Sequence, residues 1–516
     1  MITRYGPQAW KNIHVTFKTQ LEDLIDIDNT VPTGPQPTGF ALLKKIADDV
    51  DGLIAEAAQK GKRIRALGSA WALSDITMTN GWLLNTKLLN GCFDVADTYF
   101  EPSYPPSDRT GVVIAQCGMS VAELNAHLEV TATSGFRRAL KTAGIGAGQT
   151  IAGAVSGNTH GSAINFGAMS DFVVGLQLVT GGGQSLWIER ASHPVLNDAF
   201  VQELNAVRIR NDDVFDAAVV SFGAFGVITA MALETLPAYH QEFPPVKDVS
   251  VAELKTALNG FATNVPADLY HYEFVFDPYS EKVMVAAATK KPYADGYPTP
   301  TPTWIVRDEH GYRWGDESPS TLINFPLLPP SMKTSLMYKE YRKKAVLGRE
   351  IDGVSGTRGS PGQLFTATVF YGEGYTESAI GVSIKDAAKM FDISCSVIKA
   401  MDYPAISQVR LVKASRALFG FTQLTPITAV FEYGLLMDDK FPVFEKKVLD
   451  ALRAANIPYT LHWSKNSGVQ PAQVTEMYGT SKVAKWRAAR KTVFNNDATR
   501  MHVFDNEHLE RCGLAN

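Results

Sequence analysis

Apolar and polar residues follow two rhythms along the chain, one with a period near four residues and one that alternates. Residues 40–60 carry apolar side chains three and four positions apart and stop before Gly61, which is typical of an amphipathic helix and its end. Residues 63–67 then alternate as a strand does and lead into the small residues 68–70. Because small side chains let a backbone approach a ligand closely, the pattern predicts a strand that ends in a binding loop.

The same succession of strand and small-residue turn recurs before residue 238. Apolar runs predict further strands at 112–115, 173–179 and 185–188. Glycine and small polar residues fill 144–161, and another small-residue turn leads into a strand over 221–229. We therefore predict one compact α+β unit in this part of the chain.

Beyond residue 240 the pattern changes to longer strand-like runs, such as residues 270–276, and to a proline-rich stretch between 293 and 330. This change predicts a domain boundary near residue 240. Residues 322–330 are apolar but interrupted by prolines, so a regular helix is not expected there. A packed loop is the favoured interpretation of that segment, with a substrate lid or a membrane-touching patch as alternatives.

Composition narrows the class of function. A chain of 516 residues, of which 45% are hydrophobic and 20% charged, is long enough for two domains with large cores. The formal net charge of -4 provides no basic field that would attract nucleic acid or an anionic membrane. No nucleic-acid partner is expected. No segment approaches the roughly 18 consecutive apolar residues of a membrane span, so no membrane-spanning helix is expected.

Cysteine and histidine spacing argues against a disulfide framework and against a metal site. The four cysteines are Cys92, Cys117, Cys395 and Cys512. They lie too far apart in sequence for paired ligands or a dense disulfide pattern. His502 and His508 are too loosely spaced for metal ligands without further partners, so no metal is expected. The N-terminus has no apolar run of signal-peptide length, and the expected location is cytoplasmic.

Three small-residue segments have the chemistry needed to hold a dinucleotide. A pyrophosphate needs several backbone N–H donors at close range. Residues 68–70, 148–153 and 156–161 are the candidates. The glycines of 144–148 look like part of a Rossmann fingerprint, but the spacing of the last glycine is wrong and no acidic residue follows at the required distance.

Longer stretches around these candidates resemble a known flavoprotein family. Residues 62–76 (KRIRALGSAWALSDI), 149–161 (QTIAGAVSGNTHG) and 223–229 (GAFGVIT) resemble the vanillyl-alcohol-oxidase-type FAD fold. Within it the chain looks most like the sugar-lactone and alditol oxidase branch, because residues 461–465 (LHWSK) match that branch's His-Trp-Gly-Lys segment except at Ser464. The resemblance covers residues 10–235 well and the rest at scattered points.

The resemblance implies an α+β architecture in three parts: a two-subdomain FAD-binding domain at 1–238, a cap domain at 239–460 and a C-terminal segment at 461–516 that returns to the flavin. The cap would be built on an antiparallel sheet with helices and would cover the isoalloxazine ring. The cofactor contacts implied are Ala66, Leu67, Gly68, Ser69, Ala70, Trp71, Ser74, Gly118, Gln149, Thr150, Gly153, Ser156, Asn158, Thr159, His160, Gly161, Gly226, Val227, Ile228 and Lys465.

Attachment of the flavin is also addressed by the resemblance. Many relatives bind FAD covalently through a histidine four positions into the first glycine loop, where this chain has Trp71. Residues 157–161 contain no cysteine that would replace it. Dissociable, non-covalent FAD is therefore expected. His160 is interpreted as a structural member of the cofactor loop.

Oxidation of an alcohol over a flavin requires a base for the hydroxyl proton and a cation near the flavin atoms that gain negative charge. By resemblance, His462 and Lys465 lie beside the ring. His462 would be a base or a hydrogen-bond donor, and Lys465 would supply the positive charge. A structural histidine and a solvated surface lysine are the alternative interpretations.

A second candidate pair is Gln408 and Arg410, which share a face of a predicted strand because they are two positions apart. They resemble the Glu-x-Arg pair at the sugar-oxidase substrate site. The amide of Gln408 cannot accept a proton, so either the base lies elsewhere or the substrate differs. Arg410 would contact the substrate or polarise the flavin, with an ordinary sheet-surface arginine as the alternative. Glu273 is a further carboxylate candidate.

The function that these observations favour is an FAD-dependent oxidation of a CH–OH group of a sugar lactone or polyol, with hydride transfer to flavin N5. Oxygen or another acceptor would reoxidise the flavin. The loss of a glutamate at Gln408 and the apolar segment 322–330 favour, as an alternative, an apolar substrate such as a phenol, a sterol or a specialised metabolite. A flavin-binding scaffold without turnover is the third hypothesis, against which the retention of His462, Lys465 and Arg410 argues.

Overall fold

The structure is a computed structural model that describes residues 1–31, 33–130, 136–144, 146–244, 246–280, 282–294, 306–308, 311–313, 328–344, 357–364, 375–436, 438–466 and 468–515. Helices and strands alternate along the chain, and the predicted α+β class is confirmed. In these ranges no helix is both long and apolar enough to cross a membrane. Residues 322–327 of the predicted proline-interrupted loop lie outside the described residues, and a helix begins at Pro330.

A small mixed sheet opens the chain and presents the first candidate loop. Its strands, in spatial order, are β1 (Ile2–Arg4), β4 (Asp23–Asp28), β6 (Trp82–Leu88) and β5 (Ile64–Leu67). The predicted amphipathic helix spans Gly39–Gln59 and buries its apolar face in the main core. Strand β5 ends at Leu67, so the small residues that follow lie at the edge of this sheet, as the alternating pattern predicted.

A six-stranded sheet follows, antiparallel except at one edge. Its strands, in spatial order, are β12 (Val207–Arg210), β11 (Leu186–Glu189), β10 (Val173–Val179), β13 (Val227–Glu234), β8 (Val112–Gln116) and β7 (Cys92–Asp94). β11 and β12 run parallel. The helices of this region are Pro106–Arg109, Val121–Val130, Ile151–Ser156, Asp198–Glu203 and Asp212–Ala218. Every residue of β10 is buried, which explains its continuous apolar sequence.

The second half of the chain contributes a nine-stranded antiparallel sheet. Eight strands, in spatial order, are β21 (Thr357–Gly359), β15 (Tyr239–Phe243), β18 (Lys282–Pro292), β17 (Leu269–Phe276), β23 (Ile406–Lys413), β24 (Ile427–Leu436), β22 (Tyr375–Ser383) and β25 (Tyr459–Leu461), and β16 (Lys247–Ser250) pairs with β18. The accompanying helices are Val251–Phe261, Pro330–Lys344, Pro361–Leu364, Ala387–Met401 and Lys440–Ala454. The predicted antiparallel sheet with helices is confirmed.

The C-terminal helices return to the first half of the chain. They span Pro471–Val493, Ala498–Val503 and Glu507–Arg511, and they pack against Asp212–Ala218, Gly39–Gln59 and the short 3-10 turn Asp75–Thr77, respectively. Three two-stranded pairs complete the fold: β2 (Gln8–Lys11) with β3 (Lys18–Leu21), β9 (Arg138–Ala139) with β14 (Leu236–Pro237), and β19 (Val306–Asp308) with β20 (Gly311–Arg313). The other 3-10 turns are Asp97–Tyr99, Met169–Phe172 and Ile384–Asp386.

Candidate active site

One face of the nine-stranded sheet carries polar side chains across four neighbouring strands. Residues that stand opposite each other on paired strands, or two apart on one strand, share a face. Glu273 of β17 stands opposite Arg410 of β23, and Gln408 stands opposite Glu432 of β24. Glu377 of β22 lies on the same face because Ala379, two positions on, stands opposite Glu432. These five residues, Glu273, Gln408, Arg410, Glu432 and Glu377, are called the polar row below.

A buried ion cluster occupies the centre of the polar row. The Arg410 guanidinium donates to both oxygens of Glu432, from Nε and from Nη2, each at 2.5 Å. Lys465 Nζ donates to Glu432 and lies 2.5 Å from Glu377 Oε2. The side chains of Arg410 and Glu432 are only 8% and 5% exposed. Two cations and two carboxylates therefore balance one another away from bulk water.

The pKa shifts of the cluster follow from this pairing. Burial favours the neutral form of Glu432, but the charges of Arg410 and Lys465 outweigh burial and hold its pKa well below the ordinary 4.5. Burial opposes the charge of Lys465 as well, and the carboxylates of Glu377 and Glu432 nevertheless raise its pKa. Glu432 raises the pKa of Arg410 against the same desolvation. All three groups are charged at neutral pH, and Lys465 is a largely buried cation rather than the solvated surface lysine of the alternative interpretation.

One carboxylate oxygen of Glu273 is buried without a hydrogen-bond donor among the described residues. Gln408 Nε2 donates to Glu273 Oε2 at 3.0 Å, and His271 Nε2 lies 3.5 Å from the same oxygen. Glu273 Oε1 is buried, and no described residue donates a hydrogen bond to it. A buried acceptor without a donor is costly, so this oxygen marks a place where a ligand hydroxyl would donate.

The two predicted histidines lie close together and are both neutral. The rings of His160 and His462 are 6.1 Å apart. Burial, followed by the charge of Arg410, lowers the pKa of His160 to about 3. Burial, followed by the charge of Lys465, lowers the pKa of His462 well below 6.5. His462 Nδ1 accepts from the Ser464 N–H at 3.1 Å, which places the ring proton on Nε2.

The turn that carries Lys465 is fixed by the residue that follows it. Asn466 is fully buried and accepts from the Ala379 N–H at 3.1 Å. Its Nδ2 donates to Ser378 Oγ at 2.8 Å and to Glu445 Oε2 at 2.6 Å. The Lys465 N–H donates back to the His462 carbonyl at 3.0 Å. The backbone of Lys465 is thereby held against β22 and against the helix Lys440–Ala454.

The first two predicted cofactor segments meet each other. A Cβ added to Gly68 would lie 2.1 Å from Thr150 Oγ1, so only glycine permits this approach. Ser69 Oγ donates to the Gly148 carbonyl at 2.7 Å. Ala70 has a left-handed backbone with φ of 58°. No backbone carbonyl of the described residues accepts from the N–H groups of Ser69, Ala70 or Trp71, so these three donors are available to an anion.

Side chains of the second segment stabilise the loop itself. Thr150 caps the helix Ile151–Ser156 by accepting from the Gly153 N–H. Thr159 Oγ1 donates to Gln149 Oε1 at 3.1 Å, and Asn158 Nδ2 donates to Ser170 Oγ at 2.9 Å. His160 Nε2 is buried and has no partner among the described residues. The Arg410 guanidinium donates to the His160 carbonyl at 3.1 Å, which joins this segment to the polar row.

The remaining predicted cofactor residues are spread over several elements. Ala66 and Leu67 end β5, Ser156 ends its helix, Gly161 packs on Thr142, Gly118 packs on Thr86 after β8, and Gly226, Val227 and Ile228 lie at the start of β13. Ser74 Oγ donates to the Trp463 carbonyl at 2.6 Å, and the Ser464 carbonyl accepts from the N–H groups of Leu73 and Ser74. The structure therefore brings the first loop, the second loop and the His462–Lys465 turn together.

Trp463 belongs to the hydrophobic core. Its side chain is 1% exposed, and its Nε1 donates to the Phe419 carbonyl at 2.8 Å. Its ring lies 4.4 Å from that of Phe222. Trp71 Nε1, in contrast, is buried without a partner among the described residues. The role of Trp71 toward the cofactor stays a prediction.

Sequence patterns missed three residues of this site. Glu432 and Glu377 complete the ion cluster, and His14 is buried beside the first loop, where burial lowers its pKa to about 4. Glu432 had a signal, because it is the only charged residue in the apolar strand ITAVFEYGLL. Neither Glu377 nor His14 stands out from its neighbours in sequence.

Gly157 of the second loop lies against Ser464, the position at which the chain departs from the His-Trp-Gly-Lys pattern. A Cβ added to Gly157 would lie 2.4 Å from Ser464 Oγ. Gly157→Ala is therefore expected to lower the free energy of unfolding by about 1–3 kcal/mol, measured by urea denaturation. Ser464→Gly in the same chain should restore part of the loss. Gly260→Ala is the control, because a Cβ there meets nothing within 4 Å. Equal losses with and without Ser464→Gly would contradict the contact.

The groups of the two loops fit FAD. Free backbone N–H donors, a glycine approach that a Cβ would block and two buried polar atoms without partners, on Trp71 and His160, all occur in the predicted cofactor segments. Such a site suits a pyrophosphate and a polar ring system. Within the described ranges no group of three His, Cys, Asp or Glu side chains is placed to hold a metal ion.

Comparison with known proteins defines the class. Residues 40–189 match the family model described as an FAD binding domain. The whole chain superposes on a cholesterol oxidase from Brevibacterium sterolicum, in a histidine-to-alanine mutant form, with a TM-score of 0.68 and 15% identity over 99% of this chain and 97% of that one. A solvent-stable cholesterol oxidase gives a TM-score of 0.68 at 16% identity, over 99% of this chain and 98% of that one. The chain thus has an FAD-binding domain, and its fold is that of these cholesterol oxidase structures.

The sequence relatives of the chain include sugar-lactone dehydrogenases and oxidases. An L-gulono-1,4-lactone dehydrogenase of Mycobacterium tuberculosis is 29% identical over 252 residues, which is 49% of this chain and 48% of that protein. A D-arabinono-1,4-lactone oxidase of Candida albicans is 25% identical over 311 residues, which is 58% of this chain and 49% of that protein. These matches span about half the length of the curated relatives. They confirm the predicted resemblance to the sugar-lactone oxidase branch.

Proposed function

We propose that this protein is an FAD-dependent oxidoreductase that oxidises a CH–OH group of a sugar lactone or a related polyol. The observation that carries the proposal is the polar row, which lies against the second cofactor loop through Arg410 and His160. Its Arg410 is a fixed cation, Lys465 pairs with its Glu432, and its Glu273 has a carboxylate oxygen without a donor among the described residues. The lactone dehydrogenase and oxidase relatives support the same substrate class.

The residues of the row divide the chemistry between them. FAD, when bound, supplies the hydride acceptor. Glu273 Oε1 takes the proton of the substrate hydroxyl, and Gln408 holds the other oxygen of that carboxylate in place. Arg410 and Lys465 supply positive charge, which would stabilise negative charge on the substrate oxygen and on bound FAD. His160 and His462 stay neutral and act as hydrogen-bonding groups, because burial keeps both rings deprotonated at physiological pH.

The polar row favours a hydroxylated substrate over an apolar one. Glu273 and Glu432 are buried, and an apolar ligand would leave the free oxygen of Glu273 without a donor. A site built to bind hydroxyl groups rejects analogues that lack them, because its buried polar atoms are then unpaired. Of the segment 322–330, which favoured the apolar alternative, residues 322–327 lie outside the described residues.

The finer properties of the cofactor and the cell location are part of the same proposal. FAD is non-covalent, since Trp71 stands where many relatives have the linking histidine. Oxygen or another acceptor receives the electrons. The protein works in the cytoplasm, in line with four free cysteines, of which Cys117 and Cys512 are buried.

A spectrum followed by an anaerobic titration tests the proposal. The purified protein is expected to show flavin absorption, and acid precipitation should release the colour into the supernatant. Aldonolactones and polyols should then bleach the flavin without oxygen, whereas sterols and phenols should not. Colour retained in the pellet would contradict non-covalent binding, and His14, beside Trp71, would be the first residue to replace. Bleaching by sterols or phenols alone would overturn the substrate class.

A further inference from the structure

A second buried polar cluster lies behind the first cofactor loop, where the C-terminal segment meets Asp75. Arg511 donates to both carboxylate oxygens of Asp75, from Nη1 at 2.5 Å and from Nη2 at 2.8 Å. His508 Nδ1 lies 2.8 Å from Asp75 Oδ1. The side chain of Asp75 is 12% exposed and that of His508 is 1% exposed. Asp75 is four positions beyond Trp71, so this cluster holds the chain just where it leaves the loop.

The charge state of the cluster makes Arg511 its central partner. Burial favours the neutral acid, but hydrogen bonds from His508 and Arg511 outweigh it and hold the pKa of Asp75 well below its ordinary value. Burial lowers the pKa of His508 despite the neighbouring carboxylate. A neutral His508 must carry its proton on Nδ1 to donate to Asp75. Arg511 is thus the one full cation that hydrogen-bonds this carboxylate among the described residues.

Further hydrogen bonds connect residues 504–512 to the chain around the first cofactor loop. Asn506 Nδ2 donates to the carbonyls of Ile76 and Met78, at 3.1 and 3.0 Å. The buried Arg65, on β5 before the loop, donates to the Phe504 carbonyl at 3.1 Å. The C-terminal segment therefore holds the chain on both sides of residues 68–71.

The loop needs such a restraint. Ala70 holds a left-handed backbone that non-glycine residues adopt at a cost, and three successive N–H groups in the loop have no backbone acceptor in the described part of the chain. A strained loop with unpaired donors relaxes unless the surrounding structure fixes it.

We propose that Asp75, His508 and Arg511 form a latch that keeps residues 68–71 in the conformation that binds FAD. The C-terminal segment 504–512 is then a positioning element for the cofactor. The inference rests on the FAD-binding part of the proposed function and is independent of the substrate.

The test measures FAD release from the holoprotein. Flavin fluorescence rises when FAD leaves, and a dilution series gives the dissociation constant. Arg511→Gln is expected to raise the Kd for FAD at least about tenfold, and Arg511→Lys, which keeps the charge, should restore part of the affinity. Arg500→Gln is the matched control, because Arg500 lies in the same C-terminal region but pairs with Asp497. Its Kd should stay within about twofold of the wild type.

Asp75→Asn, which keeps the size of the side chain, guards against a variant that fails to fold. Circular dichroism and a urea midpoint accompany each Kd. A urea midpoint that falls in Arg511→Gln and Asp75→Asn while both keep the wild-type Kd would overturn the latch and leave a purely structural contact. A wild-type protein that retains and takes up no FAD would overturn both the latch and the proposed function. A wild type that binds FAD but is bleached by no alcohol would overturn only the proposed function.

Discussion

Glu273→Gln is expected to slow flavin reduction by about 10²–10⁴-fold while the substrate dissociation constant changes little. The amide keeps the size of the side chain and its hydrogen bonding, but it cannot take the hydroxyl proton. Gln408 would still contact the amide at this position, so the geometry of the row is preserved. Anaerobic stopped-flow measurement of flavin bleaching at several lactone concentrations separates the rate of reduction from the affinity.

Two companion variants isolate the role of the free oxygen of Glu273. Gln408→Leu removes the donor that orients the carboxylate of Glu273. It should slow flavin reduction less than Glu273→Gln does, by about tenfold. Glu377→Gln removes a carboxylate from the same sheet face that binds Lys465 instead, and it should leave the rate closer to that of the wild type than Glu273→Gln does. If the flavin of the Glu273→Gln variant is reduced at the wild-type rate, another group takes the proton of the substrate hydroxyl.

Glu432→Gln should lower the free energy of unfolding by about 3–5 kcal/mol near neutral pH. Glu432 is the acceptor shared by Arg410 and Lys465, whose side chains are 8% and 18% exposed. Without its charge, two desolvated cations face only the carboxylates of Glu377 and Glu273. Urea denaturation followed by fluorescence gives the difference. Glu476→Gln is the control, because Glu476 pairs with Arg453 at an exposed position and should cost no more than about 1 kcal/mol.

The same variant predicts a pH dependence of definite sign. The folded protein holds the pKa of Glu432 well below 4.5, so its stabilisation is fully present above that value and is lost as the pH falls through the lowered pKa. The difference between wild type and Glu432→Gln should therefore be constant from neutral pH down to about 4.5 and shrink only below it. A difference that already declines above that value would contradict the ion cluster.

Local patterns predicted the elements that present the site, and long-range pairing decided what completes it. The helix over 40–60, the strand over 173–179 and the shared face of Gln408 and Arg410 depend on neighbours in sequence, and the structure has all three. Glu377 and Glu432 join Arg410 only because β22 and β24 lie beside β23. No spacing along the chain encodes that order of strands.

The position of Lys465 was predicted from the resemblance, but its ion-pair partners were not. Its proximity to the flavin site came from resemblance, and the structure does place its turn against the first cofactor loop through Ser74. Its environment was not predictable, because a single sequence does not reveal which carboxylates a lysine will meet. Lys465 is 18% exposed and stays charged because it pairs with the carboxylates of Glu377 and Glu432.

The pairing of Gln408 with Glu432 across β23 and β24 bears on how a site of this kind can change its specificity. Sugar oxidases that the chain resembles have a glutamate at the position of Gln408, next to the same arginine. In this chain Glu432 stands opposite Gln408 on the neighbouring strand, about 4.8 Å away, and binds Arg410. A glutamate on the neighbouring strand can thus bind the arginine, and its negative charge then lies at a different place relative to the substrate.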